Sequence, residues 1–199
     1  MKKIVLSGVA ILAMVAILTG CGKKPQDKIN AVLTGIDSAY AQGANIYLAN
    51  EYTAIQDSMK SIMVDINTES AKRFKNYKPV EIKLDTMLLK VKQLKAKSII
   101  KMVQAKKDAD SLITSFQVIM DENVKLIVEA SKVKKAKAVI ENYKKEIKSL
   151  DSSLVENKSL FNKGLYIDVL NKINTSKANA VNLNVKLKAI LIHGKGKRK

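Results

Sequence analysis

The chain is expected to fold as an all-α protein, an elongated helical bundle or array of coiled-coil-like hairpins made of five or six helices. Three observations carry that expectation. Between Pro79 and Gly164 lie 84 residues with neither glycine nor proline, rich in Lys, Ala, Leu, Ile, Val and Met, which is more breaker-free sequence than strands normally tolerate. Stepping by seven from Leu84 gives Val91, Ser98, Ala105, Leu112, Ile119, Leu126, Val133, Ile140, Ile147, Leu154 and Phe161. Eleven of these twelve positions are apolar, the mark of a coiled-coil-like seam. No segment alternates at period two for long enough to make a sheet.

The elements follow in order. Ile29, Val32, Leu33, Ile36, Ala39 and Tyr40 form one helical face, and Gly43 stands where a left-handed C-terminal cap belongs. Asn50 suits the N-cap of a second helix, whose stripe is Tyr52, Ile55, Met59, Ile62, Met63 and Ile66. Tyr77-Lys78-Pro79 ends it, and Pro79 fits the first turn of the next helix. In that long helix the second seam position follows at +4 for Leu88, Met102, Ala109 and Phe116 but at +3 for Ala136, Tyr143 and Leu150. The switch predicts a break or bend, either at Asp121-Glu122-Asn123 or within 131–137. The last helix follows Gly164 and carries Val169, Leu170, Ile173, Ala180, Leu183, Leu187 and Leu191. Tyr40, Tyr52, Phe74, Phe116, Tyr143 and Phe161 lie on or near these stripes and read as core.

Two of the joints have a familiar form. Gly43-Ala44 with Tyr47 and Tyr52, and Phe161 with Gly164 and Tyr166, resemble the hairpin joints of tetratricopeptide-like helical bacterial lipoproteins. Those hairpins usually carry Ala where this chain has Ile55 and Val169, so the resemblance implies a hairpin and no binding residues.

The N-terminus is more specific. Met1-Lys2-Lys3 gives a positive start, Ile4 to Leu18 an apolar run, and Leu18-Thr19-Gly20-Cys21 places small residues before a cysteine. The run is shorter than the roughly 20 apolar residues of a membrane span. This order resembles the signal and lipobox of bacterial lipoproteins. The resemblance implies a signal peptide over 1–20, cleavage before Cys21, diacylglycerol on the Cys21 sulfur and an acylated, palmitate-type amino terminus. A tether over 21–27, a helical domain over 28–192 and a basic flexible tail over 193–199 complete the expected organisation. Gly22 follows the cysteine where an Asp would resemble an inner-membrane retention signal, so the resemblance implies the outer membrane, facing the periplasm.

Catalytic chemistry finds few residues to use. Cys21 is the only cysteine and His193 the only histidine, so a lipidated Cys21 leaves no thiol for a disulfide, nucleophile or metal. Asp108 with Asp110, and Asp121 with Glu122, are spaced so that their side chains diverge on a helix. Gly-rich phosphate loops, nucleophile elbows and His/Cys clusters at metal spacing do not occur in the sequence. The chain is therefore expected to be no enzyme and to need no cofactor or metal.

Charge is the remaining signal. The formal net charge is +18, and the excess lies in two blocks, +10 over residues 71–107 and +8 over 170–199. Such blocks suit polyanions, and export would exclude nucleic acid as partner. Lys72, Arg73, Lys75, Lys90, Lys97, Lys195, Lys197, Arg198 and Lys199 are the candidate contacts, with peptidoglycan or lipopolysaccharide as the envelope polyanion. Lys83, Lys90 and Lys97 also flank the seam, where lysine stems cover apolar surface. The terminal Arg198-Lys199 is similar to the end of the major murein lipoprotein of enteric bacteria, in which the final lysine is joined through its ε-amine to peptidoglycan. Three roles stay open: an envelope scaffold or adaptor with a protein partner, a basic chaperone-like periplasmic module, or an accessory subunit of a transport or secretion complex.

Overall fold

The computed structural model describes residues 22–195. Cys21, with the rest of the lipobox, and Lys197, Arg198 and Lys199 lie outside the described residues. Among those described there are six α-helices: α1 (Gln26–Ala41), α2 (Ala44–Tyr47), α3 (Ala49–Ser70), α4 (Lys78–Ala130), α5 (Lys137–Asn162) and α6 (Tyr166–Lys195). One 3-10 turn, Lys134–Ala136, precedes α5. The protein is an all-α helical bundle with no strand among these residues.

The helical domain expected over 28–192 is two compact units, dividing between Lys101 and Met102. In the first, α1, α3 and the start of α4 enclose Val32, Ala39, Ile62, Ile66, Leu84 and Val91. Register is fixed by polar ties at a near-constant offset along α1 and α4. Lys28 pairs with Asp85 at 2.7 Å, Lys95 donates to Ser38 at 2.7 Å, and Ser98 donates to the carbonyl of Gln42 at 2.7 Å. These two helices therefore run parallel, with α3 antiparallel between them in sequence, its Asp65 held by Lys83 at 2.6 Å. In the second unit the remainder of α4 packs with α5 and α6 around Phe116, Met120, Ile140, Leu154, Val169, Ile173, Leu183 and Leu187. Lys158 on α5 donates to Gln117 at 2.6 Å, Lys172 on α6 pairs with Glu156 at 2.7 Å, and Lys188 on α6 pairs with Glu122 at 2.8 Å.

The glycine cap expected at Gly43 forms, and Gly164 closes a second helix in the same way. Gly43 has φ +76° and Gly164 φ +77°, values an L-residue adopts only with strain. At the second, the Gly164 amide donates to Phe161 and the Leu165 amide to Leu160, at 2.9 and 3.0 Å. This is the paired closure of a Schellman motif. Pro79 lies in the first turn of α4, and the break comes within 131–137 rather than at 121–123, which is continuous helix.

Other expectations change as well, and Tyr40, read as core, is 57% exposed on α1. Helix α1 begins at Gln26 and not at 28, because Pro25 can precede a helix directly. Asn50 is inside α3 and caps nothing. The chain is already helical from Ala44, and the interruption falls at Leu48, with φ −142° and ψ 48°, whose side chain is buried. Helix α3 ends at Ser70, not at Tyr77. The tail is helical as far as Lys195, since Gly194 lets the end of α6 approach Val133: a Cβ at Gly194 would lie 3.0 Å from the Val133 Cγ2. Finally, the seam shifts within α4. Leu84, Val91, Ser98 and Ala105 are buried as expected, but beyond them the buried positions are Ala109, Ile113, Phe116, Met120, Asn123, Ile127 and Ala130. Leu112, Ile119 and Leu126 move to its flank and are partly buried.

Candidate functional site

The basic block at 71–107 begins in the loop between α3 and α4, and the ends of those helices shape it. The Glu69 carboxylate accepts from Lys72 Nζ at 2.6 Å and from the Asn76 backbone N–H. Those two bonds, the Lys72 ammonium first, hold the Glu69 carboxyl below its ordinary range. Tyr77 is buried, and its hydroxyl shares a 2.8 Å hydrogen bond with Ser70. Asn76 Oδ1 accepts from the Lys78 N–H at 3.2 Å, an Asx-type start to α4. The loop is thus closed from beneath by Glu69 and Tyr77.

Its outer face is different. Phe74, expected in the core, is 84% exposed, because α3 stops at Ser70 and the ring belongs to no helical stripe. The Arg73 guanidinium lies 5.9 Å from the centroid of that ring, within cation–π range. Lys72 is committed to Glu69, whereas Arg73 and Lys75 have no carboxylate partner among the described residues. The start of the described chain meets this loop. A Cβ on Gly22 would stand 3.4 Å from the Tyr77 ring and 3.5 Å from the Lys75 carbonyl oxygen. Lys23 and Lys24, next along the chain, are exposed.

Lys90 and Lys97 form a separate group. They line a shallow groove between α3 and α4 with Glu51, Ala54, Ile55, Ser58, Gln93 and Leu94. Lys90 lies twelve residues into α4, about 18 Å along the helix at 1.5 Å per residue. The loop and this groove are therefore two basic features of one unit. Lys195 is the last residue of α6, in the second unit.

Sequence reasoning placed Lys72, Arg73 and Lys75 together but missed the exposure of Phe74 and the approach of Gly22. A signal for the first was present: Lys72-Arg73-Phe74-Lys75 sets one aromatic among three cations just before a helix start. The second depends on tertiary closure and leaves no local trace. Among the described residues, no His/Cys/Asp/Glu group has the form of a metal site, and no helix is long and apolar enough to cross a membrane. No family model, curated protein or solved structure matches this chain.

Proposed function

We propose that this chain is a lipid-anchored, non-enzymatic scaffold or adaptor of the bacterial cell envelope, tethered through Cys21 and presenting basic helical surfaces to envelope polyanions. The observation that carries the reading is Leu18-Thr19-Gly20-Cys21 at the end of the apolar run Ile4 to Leu18. Acyl chains contribute roughly 0.8 kcal/mol per buried methylene, so two or three hold a protein on a bilayer without a spanning helix. The basic blocks at 71–107 and 170–199 then give surface for contacts, and the proposed location is the outer membrane facing the periplasm.

The anchor is tested by Cys21→Ser, which is expected to abolish incorporation of a fatty-acid analogue and to leave a soluble or unprocessed form. Retained label would remove the anchor from the reading. The adaptor role is tested by crosslinking in intact envelopes followed by purification. One dominant protein partner supports an adaptor, whereas a spread of unfolded outer-membrane proteins would replace it with a chaperone-like module.

A further inference from the structure

The anchor leaves open how the folded part meets the membrane, and the loop between α3 and α4 bears on that question. Gly22, in contact with this loop, directly follows Cys21 in the sequence, so the residue that the anchor reading acylates is one peptide bond from it. We propose that residues 71–77 form a second membrane contact, in which the Phe74 ring enters the acyl boundary of an anionic phospholipid bilayer and Arg73, Lys75, Lys23 and Lys24 lie among its phosphate headgroups. The proposal rests on the lipid-anchor reading.

Three features favour a bilayer as the occupant. Phe74 is the most exposed of the large apolar side chains among the described residues, and no stripe of α3 or α4 has a place for it. An apolar ring flanked by Arg73 and Lys75, cations without a carboxylate partner among the described residues, matches the interfacial zone, where rings sit below the phosphates and cations sit among them. A polar wall polymer would satisfy the cations and leave the ring in water. Tethering supplies the third feature: acyl chains beside the loop hold it at high effective concentration against the surface, so a contact that is weak alone becomes occupied. The first unit would then stand with its α3–α4 end on the membrane. Its Gly43 end lies beyond the 22 residues of α3, about 33 Å away.

The chain contains no tryptophan, which makes the test direct. Phe74→Trp and, as comparison, Ile46→Trp each introduce a single indole. Ile46 is also exposed, at 55%, but lies in α2, beyond the far end of α3. The lipidated full-length product is reconstituted in vesicles of phosphatidylethanolamine and phosphatidylglycerol, with or without brominated acyl chains. Circular dichroism confirms that each variant keeps its helix content. The expected result is a blue-shifted indole at 74 that loses emission to the bromines and loses less in phosphatidylcholine vesicles, while the indole at 46 stays unquenched. A water-like, unquenched indole at 74 in labelled, membrane-bound protein overturns the second contact and leaves the anchor standing; binding to purified sacculi by that same protein would assign the loop to wall polymer instead. Absence of fatty-acid label overturns the anchor, and the proposal with it.

Discussion

At the scale of single residues, the bundle is set by a few side chains whose roles are opposite to their usual ones. Gly35 sits mid-helix, where glycine ordinarily weakens a helix by up to about 1 kcal/mol relative to alanine. Here a Cβ would stand 2.8 Å from the Val91 Cγ1, and Val91 is 1% exposed and β-branched, so it has no free rotamer to take. Gly35→Ala is expected to lower stability, an overpacking cost of about 1–3 kcal/mol exceeding the helix gain. A higher urea midpoint would show that α1 and α4 separate without penalty. Ser98, the polar member of the seam, is fully buried and caps the Gln42 carbonyl, using the end of α1 as its partner. In the second unit, Asn123 donates to the Ala180 carbonyl at 2.8 Å and accepts from Asn184 at 2.9 Å. Asn123→Ala should cost about 1–3 kcal/mol, because the buried Asn184 amide loses the Asn123 oxygen and keeps only its bond to Glu122. In the Asn123→Ala/Asn184→Ala double variant the loss should fall short of the sum of the singles. Additive losses in a double-mutant cycle would mean the pair does not act as a unit.

At the scale of elements, α4 shows what sequence periodicity can and cannot decide. Apolar residues repeat by seven along its length, and that alone identifies the helix and its first four buried seam positions. A straight α-helix drifts by about 20° per heptad relative to its neighbours, however, and a step of four residues resets the face. The reset runs through Ala105, Ala109 and Ile113, just past the boundary between the units, where α4 exchanges its partners α1 and α3 for α5 and α6. Both Leu112 and Ile113 are apolar, so only those partners select between them. Phe116→Ala is therefore expected to cost about 3–5 kcal/mol, and Leu112→Ala less than Phe116→Ala because its side chain is only partly covered. A larger loss at Leu112, measured by chemical denaturation, would restore the uninterrupted heptad register. The loop before α4 was illegible for a related reason: Asn76 and Glu69 meet across seven residues by tertiary closure. Acid should open it. Because hydrogen bonding lowers the Glu69 pKa in the folded chain, its contribution is complete above the ordinary carboxylate range and is lost as pH falls through the lowered value. The Asn76 amide protection factor is expected to fall over that interval in the parent, and to be low and pH-independent in Glu69→Gln.

At the scale of the molecule, two cores share one continuous helix. The first is built around α1, α3 and residues 78–101, the second around residues 102–130, α5 and α6, and the apolar clusters of the two have no residue in common. Hydrophobic burial is local to the side chains that supply it, so each cluster is expected to act as its own cooperative unit of opening. Phe116, fully buried in the second cluster, gives the means to separate them. In Phe116→Ala, native-state hydrogen exchange should show amides of α5 and α6 losing protection by more than a hundredfold, the equivalent of a cavity loss of about 3 kcal/mol or more. Amides of α1 and α3 should keep theirs, since none of their core contacts is removed. The reciprocal variant, Ile66→Ala in the first cluster, should reverse the pattern. If either substitution lowers protection equally throughout the chain, the shared helix couples the two cores into a single folding unit, and the division at Lys101 and Met102 is one of packing without being one of stability.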